Sequence, residues 1–321
     1  ASTDRVDLLT YPLRAEWNLT MRGMVTYVGR SSLNVDVDLT ADPTTAGGRH
    51  LPVMSASLTF VARSASARAA AAPRLQPETA AEVALYDEGA RGQEMRKKAR
   101  GESVYVKPPT PSELALVHEL FTQLQECTVR PGGSAERIFT PAAAGSHMFM
   151  EDARLSSTFI SQPEERNLHG KVFGGMLMRR AFEVAWACGW TYTGVLPKFL
   201  SLDDVTFLLP VDVGSLMRFD AQIDYATGPP AKTYHVSVHA YIRPTDAAGN
   251  LQAERLTNSF HFTFYCDDPA RVPRVFPRTY EDAMRYVEAA RRMKYGQALA
   301  EARKVTGTKL RFPAQPAARY S

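Results

Sequence analysis

Cysteine is scarce: three in 321 residues, at Cys127, Cys188 and Cys266, scattered and odd in number. That excludes a disulfide framework and a cysteine-built zinc site. No run of 18 or more apolar residues occurs, so no helical membrane span is expected. Phosphate-cradling GxxxxGK[ST] loops and GxSxG elbows are missing as well. His235 and His239 lie four apart on an expected strand, roughly 13 Å, too far to share a metal. No metal site and no cofactor are expected. His261 sits in an aromatic strand and reads as core. Excess charge is small, +4, and 45% hydrophobic with 22% charged residues is the composition of a globular protein with room for two domains.

What is present is mostly strand signal. Val6–Tyr11, Met21–Tyr27, the strictly alternating Leu33–Leu39 and Leu51–Arg63 read as an antiparallel meander with one face buried. Residues 64–135 change character. An Ala/Ser/Arg tract leads to a helix over 77–100, with Thr79 as cap and a basic cluster at Arg96, Lys97, Lys98 and Arg100. Prolines 108, 109 and 111 interrupt it, and Ser112 caps a second helix. Strands follow at 149–162, 200–209, 216–225, 233–241 and 256–266. Asp203 and Asp204, adjacent on a strand, point to opposite faces. Thr279-Tyr-Glu-Asp282 resembles a capping box. Residues 279–321 hold nine Lys/Arg against four Asp/Glu, the balance of a solvated basic appendage or of an anchor on RNA or an acidic protein surface.

The chain is organised around Arg166–Gly194, RNLHGKVFGGMLMRRAFEVAWACGWTYTG. Leu177, Ala181, Val184 and Cys188 make one helical stripe, and Phe182, Trp186 and Trp190 a second. A helix apolar on most of its girth is buried on several sides, and the surrounding strands make a curling sheet its natural cover. Gly174 and Gly175 fall at its start, where first-turn N–H groups lack intrahelical acceptors. Without Cβ atoms they let a ligand approach closely, and the helix N-terminus favours the negative charge that builds on an oxygen under attack. Alone, such a glycine pair also fits a tight strand-to-helix turn.

As a whole the stretch from Asn167 to Trp186 resembles the mitochondrial acyl-CoA thioesterases of the double hot-dog type, whose motif runs N-x-x-x-x-x-F-G-G-x-L-M-R-x-A-x-E-x-A-W. The likeness covers roughly 5–63 and 148–280. It implies an α+β fold in which a long central helix is wrapped by antiparallel sheet, twice over, with acyl-CoA bound where the repeats meet. It also implies that Asn167 orients or activates water and that the N–H of Gly175 holds the thioester oxygen. Phe173 and Gly174 complete the turn against the substrate. Glu183 serves as a base if buried, or pairs with Arg179 if it lies on the helix surface. Read from the residues, His169 could polarise a carbonyl or be an ordinary loop histidine, and Lys171, Arg179 or Lys198 would attract CoA phosphates.

An internal repeat supports two halves. Val6-Asp7 matches Leu202-Asp203 and Met21-Arg22 matches Met217-Arg218 at one offset, 196 (203 less 7), and Ser57–Phe60 resembles Ser259–Phe262. At that offset the counterpart of Asn167 precedes residue 1, so the first repeat is expected to lack its helix in this chain. The expected domains are a first, incomplete repeat at 1–63, a linker with helices at 64–135, a second repeat at 136–278 and a basic helix and tail at 279–321. Two functions follow. One is hydrolysis of fatty acyl-CoA in the mitochondrial matrix, by a homo-oligomer or a subunit of a larger complex. The alternative is a catalytically inactive, thioesterase-derived structural subunit of a large mitochondrial assembly such as the mitochondrial ribosome, which the absent half-site and the basic tail would fit.

Overall fold

The structure is a computed structural model, describing residues 2–10, 13–42, 51–62, 64, 70–128, 147–168, 170–246 and 248–306. It divides into two compact units, 1–101 with 297–321, and 102–296.

In the first unit β1 (Ser2–Leu8), β2 (Asn18–Val28), β3 (Ser32–Asp42) and β4 (Leu51–Val61) form antiparallel sheet in the order β2-β3-β4-β1. Strand β1 starts earlier than its hydrophobic pattern indicates. The alternation in β3 is real, but the face it buries most is the polar one: Asn34, Asp36 and Asp38 are 1%, 6% and 4% exposed. This face carries its own partners, Thr26 donating to Asp36 and Thr59 to Asn34, each at 2.9 Å. It lies towards helix α1 (Ala80–Gly101), through Gly89 against Thr26 and Tyr27 and through Arg96 beside Asp4 at 3.4 Å. Thr79 caps α1 as expected, its hydroxyl accepting from Glu82 N–H while the Glu82 carboxylate accepts from Thr79 N–H.

The second unit opens with α2 (Pro111–Thr128). Its cap is Thr110, not Ser112: Thr110 Oγ1 accepts from Glu113 N–H and Thr110 N–H donates to Glu113 at 2.8 Å. Pro111 at the first helical position suits that start, since a first-turn N–H has no acceptor anyway. Short β5 (His147–Phe149) is followed by β6 (Arg154–Ile160), α3 (Gly174–Thr193), β7 (Lys198–Phe207), β8 (Leu216–Tyr225), β9 (Thr233–Arg243) and β10 (Arg255–Tyr265). The sheet runs β7-β10-β9-β8-β6. Thus β7, β8, β9 and β10 repeat the order of β1, β2, β3 and β4, as the sequence repeat requires. Among the described residues the first unit has no counterpart of α3.

Helix α3 lies across one face of this sheet. Leu177, Ala181 and Cys188 are at most 2% exposed, and Val184 is 9% exposed. Phe182 meets Phe199, Phe262 and Phe264 with ring centroids 5.5 to 6.1 Å apart. Burying one such ring contributes roughly 2 to 3 kcal/mol. The second stripe is only half covered: Trp186 donates to Pro197 O at 3.1 Å, and Trp190 is 45% exposed. Sheet covers one side of the helix rather than most of its circumference. Closest approach is at Gly189, where a Cβ would meet Tyr234 Oη at 2.6 Å and Pro197 Cγ at 3.2 Å. Gly189→Ala is therefore expected to destabilise by about 1 to 2 kcal/mol, overpacking outweighing the helix propensity that Ala gains. Urea unfolding measures this, and a more stable variant would show that α3 stands off β9.

The opposite face of the sheet is covered too, after β11 (Arg274–Phe276), by α4 (Tyr280–Thr306). Ala283, Tyr286, Val287 and Ala289 are at most 1% exposed. Arg291 pairs with Glu113 at 2.8 Å, Arg292 with Glu288 at 3.1 Å, and Arg285 donates to Gln222 at 3.0 Å. The first half of the basic helix is thus part of the second unit's core and not a solvated appendage; residues 307–321 lie outside the described residues.

Candidate functional site

The loop before α3 is a small hairpin. Phe173 N–H donates to Glu165 O at 2.8 Å, Arg166 bridges Val172, and Asn167 N–H donates to Lys171 O at 2.7 Å. The Asn167 side chain closes the tip, its Oδ1 accepting from Lys171 N–H at 3.1 Å. Gly170 turns the chain at φ +72°, and its N–H reaches Asn167 O. On its other edge the hairpin leans on the turn after β7, Val172 N–H donating to Val211 O at 2.9 Å. Asn167, opposite Lys171, thus stands two residues up a ladder from Phe173, the N-cap of α3, about 7 Å at strand spacing.

The first intrahelical acceptor is Phe173 O, which takes the N–H groups of Met176 and Leu177. Those of Gly174 and Gly175 come before it and have no acceptor in the helix. A Cβ on Gly174 would press on the Phe207 ring at 3.0 Å, and one on Gly175 would strike the Phe173 ring at 2.4 Å. Phe173 is 59% exposed, so its ring is a movable apolar cover over this backbone. A side chain at 174 would crowd Phe207, and one at 175 would displace the Phe173 ring.

The charged residues divide. Lys171 holds Asp212, with side chains 41% and 67% exposed. An exposed pair of this kind contributes about 0 to 1 kcal/mol, so a phosphate could displace Asp212. Arg179, 80% exposed in side chain, lies five residues into α3, about 7.5 Å along the axis. Lys198 does not join them. It begins β7, whose far end, Phe207, touches Gly174; nine strand steps put it roughly 30 Å away, paired with Asp267. Spacing in sequence could not show which end of the strand lies at the glycines.

The buried-base reading of Glu183 fails. Its side chain is 41% exposed and holds Arg179 at 2.9 Å and Arg180 at 3.3 Å. It also stands eight residues, about 12 Å, along the axis from Gly175. Proton transfer needs about 3 Å or one bridging water. His169 lies outside the described residues. Sequence reasoning passed over Arg180, which joins the first turns of α3 to Glu165 at 4.0 Å and sits over the Phe159 ring at 5.1 Å. Its signal was in the motif, as the second of two arginines. Among the described residues no cluster of three or more metal-ligating side chains occurs, and no helix is long and apolar enough to cross a membrane. Asp203 and Asp204 do not alternate simply: the register slips there and Asp204 takes φ 40°.

A helix laid across an antiparallel sheet, its glycine-bearing N-terminus beside a loop asparagine, defines an α+β protein of the hot-dog class. No family model matches the sequence. Acyl-coenzyme A thioesterase 10, mitochondrial, of Mus musculus is 32% identical over 295 residues, which are 91% of this chain and 63% of that protein. Acyl-coenzyme A thioesterase 2, chloroplastic, of Humulus lupulus is 33% identical over 303 residues, 90% of this chain and 65% of that one. Among solved structures, an acyl-CoA hydrolase from Staphylococcus aureus, 26% identical, covers 50% of this chain and 96% of its own with a TM-score of 0.44. The chain is similar to these acyl-CoA thioesterases over about 90% of its own length and spans about 63% of the length of the first of them.

Proposed function

We propose that this protein hydrolyses fatty acyl-CoA thioesters to the free acid and CoA. Asn167 holds the attacking water and the N–H of Gly175 receives the charge on the thioester oxygen, with Gly174 beside it. The water oxygen bonds to the carbonyl carbon, the carbon–sulfur bond breaks, and the departing CoA sulfur ends with a proton from the water. Phe173 borders the acyl chain. Lys171 and Arg179 draw in the CoA phosphates, and His169 polarises the carbonyl. The single observation carrying this reading is the pair of glycine N–H groups without helical acceptors, beside the hairpin that Asn167 closes.

Kinship with proteins named as mitochondrial and chloroplastic thioesterases supports the chemistry and an organellar place; the mitochondrial matrix is the location proposed. Self-association draws on the exposed Trp190 and Leu196, 45% and 60% accessible at the far end of α3. The test is thiol release from palmitoyl-CoA by the purified protein. Turnover well above the uncatalysed rate is expected. Absence of turnover in a folded preparation would sink the proposal and leave a purely structural role.

A further inference from the structure

We propose that Arg180 and Glu165 are positioning residues, which set the Asn167 hairpin at its working distance from the Gly175 N–H. The inference rests on the proposed thioesterase reaction. Glu165 is tied to α3 twice. Its backbone carbonyl accepts from the N–H of Phe173, the N-cap of α3, at 2.8 Å. Its carboxylate meets Arg180 of the same helix, Oε1 to Nη2 at 4.0 Å, while Oε2 accepts from Gln162 N–H at 2.9 Å. Asn167 follows two residues later on the same arm of the hairpin, about 7 Å on. Whatever moves Glu165 against α3 therefore moves Asn167 against Gly175.

The geometry suits arginine. Arg180 stands seven residues after Phe173, almost two full turns, so the two lie on one side of the helix about 10 Å apart. Helical side chains lean towards the N-terminus, which carries the guanidinium back to Glu165. One terminal nitrogen faces Glu165 and the other donates to Glu183 Oε2 at 3.3 Å, while Arg179 holds the remaining Glu183 oxygen at 2.9 Å. The guanidinium carbon lies 5.1 Å from the centre of the Phe159 ring, which stacks on the fully buried Phe219. A planar fork that spans two carboxylates and rests on a ring is beyond lysine. The Glu165 side chain is only 13% exposed, so its charge depends on these partners in place of water. Arg180 is five residues, about 7.5 Å, along the axis from Gly175, so it acts through Glu165 and not on the reacting atoms.

The test is Arg180→Gln and Glu165→Gln, each alone and in an Asn167→Ala background, assayed with palmitoyl-CoA. Alone, each is expected to lower kcat by about 10- to 100-fold, the cost of a displacement of about 1 Å, with KM within about twofold. In the Asn167→Ala background the same substitution should cost less than about twofold, because the group it positions is gone. Arg180→Lys should keep part of the rate, since the charge stays and the fork goes. Equal losses in both backgrounds would make the pair a general brace of the fold, and a loss confined to KM would place Arg180 with the substrate phosphates; either overturns the inference. Amide hydrogen exchange needs no turnover. In Arg180→Gln, exchange at the Phe173 and Lys171 N–H groups, whose bonds hold the hairpin, should quicken by about tenfold or more, with the amides in the middle of α3 unchanged. Unchanged exchange at both overturns the inference whether or not the protein hydrolyses palmitoyl-CoA. Wild-type turnover with full rate in Arg180→Gln refutes this inference alone. Quickened exchange in a protein that never turns over refutes the thioesterase reading alone.

Discussion

Asn167→Ala is expected to lower kcat for palmitoyl-CoA by about 10²- to 10³-fold, the loss seen when one group positioned at a developing charge is removed. Asn167 does two things that must be separated. Its Oδ1 accepts from Lys171 N–H and so shapes the hairpin, and in the proposed reaction its side chain holds the attacking water. An amide holds water but accepts protons poorly, so its part is positioning, and the effect belongs in kcat. If the side chain only braced the loop, the damage would appear mainly in KM, as Lys171 and Phe173 drifted from the acyl-CoA. Asn167→Asp distinguishes the two roles, because it keeps an oxygen for Lys171 N–H. Full activity in Asn167→Ala, or a loss confined to KM, would remove Asn167 from the chemistry. Arg179→Gln, by contrast, should raise KM and leave kcat nearly alone, since it would act on the phosphates.

Helix α3 and its glycines were legible because they are local: spacing alone gives Leu177, Ala181, Val184 and Cys188 one face, and all four are buried. The order of strands was legible through the repeat. What distance in space decides was not. Lys198 and Glu183 carry suitable charges, yet strand direction takes one about 30 Å away and helix rise takes the other about 12 Å away. Helix α4 misled through composition. Its arginines read as a solvated face, although Ala283, Tyr286, Val287 and Ala290 recur at core spacing and are 0% to 7% exposed. Because α4 lands on the outer face of the sheet, His235, Ser237 and Asp224, which alternate as if towards water, are 1% to 3% exposed.

That covered polar layer leads to the second large effect, on stability against pH. Asp224 is held up to about 7, chiefly by burial, with Arg285 and Arg154 pulling it down and Asp282 pushing it up. His235 is held down to about 3 by burial and by Arg292, and His239 to about 4 by burial and Arg285, against Glu281. Also on this layer are His261, stacked on His235 at 5.4 Å, and Glu288 of α4, paired with Arg292. An acid whose folded pKa is raised stabilises most below its unfolded value. Asp224 therefore subtracts stability as pH climbs from about 4 to about 7. A base whose folded pKa is depressed does the reverse, so His235 subtracts stability as pH falls from about 6.5 to about 3. Between pH 4 and 6.5 unfolding releases one proton from Asp224 and takes one up on His235, and these two slopes cancel, leaving the uptake on His239 as the wild type's residual loss of stability with acid. Asp224→Asn leaves the histidine slope unopposed. Its stability should fall with acid more steeply than wild type by about 1.4 kcal/mol per pH unit. Above pH 7, where wild type must carry a buried charge, the variant should be the more stable by roughly 3 to 4 kcal/mol. Urea unfolding of both proteins from pH 4.5 to 8.5 measures the two curves. Parallel curves would mean that water reaches Asp224 and that α4 does not seal the sheet.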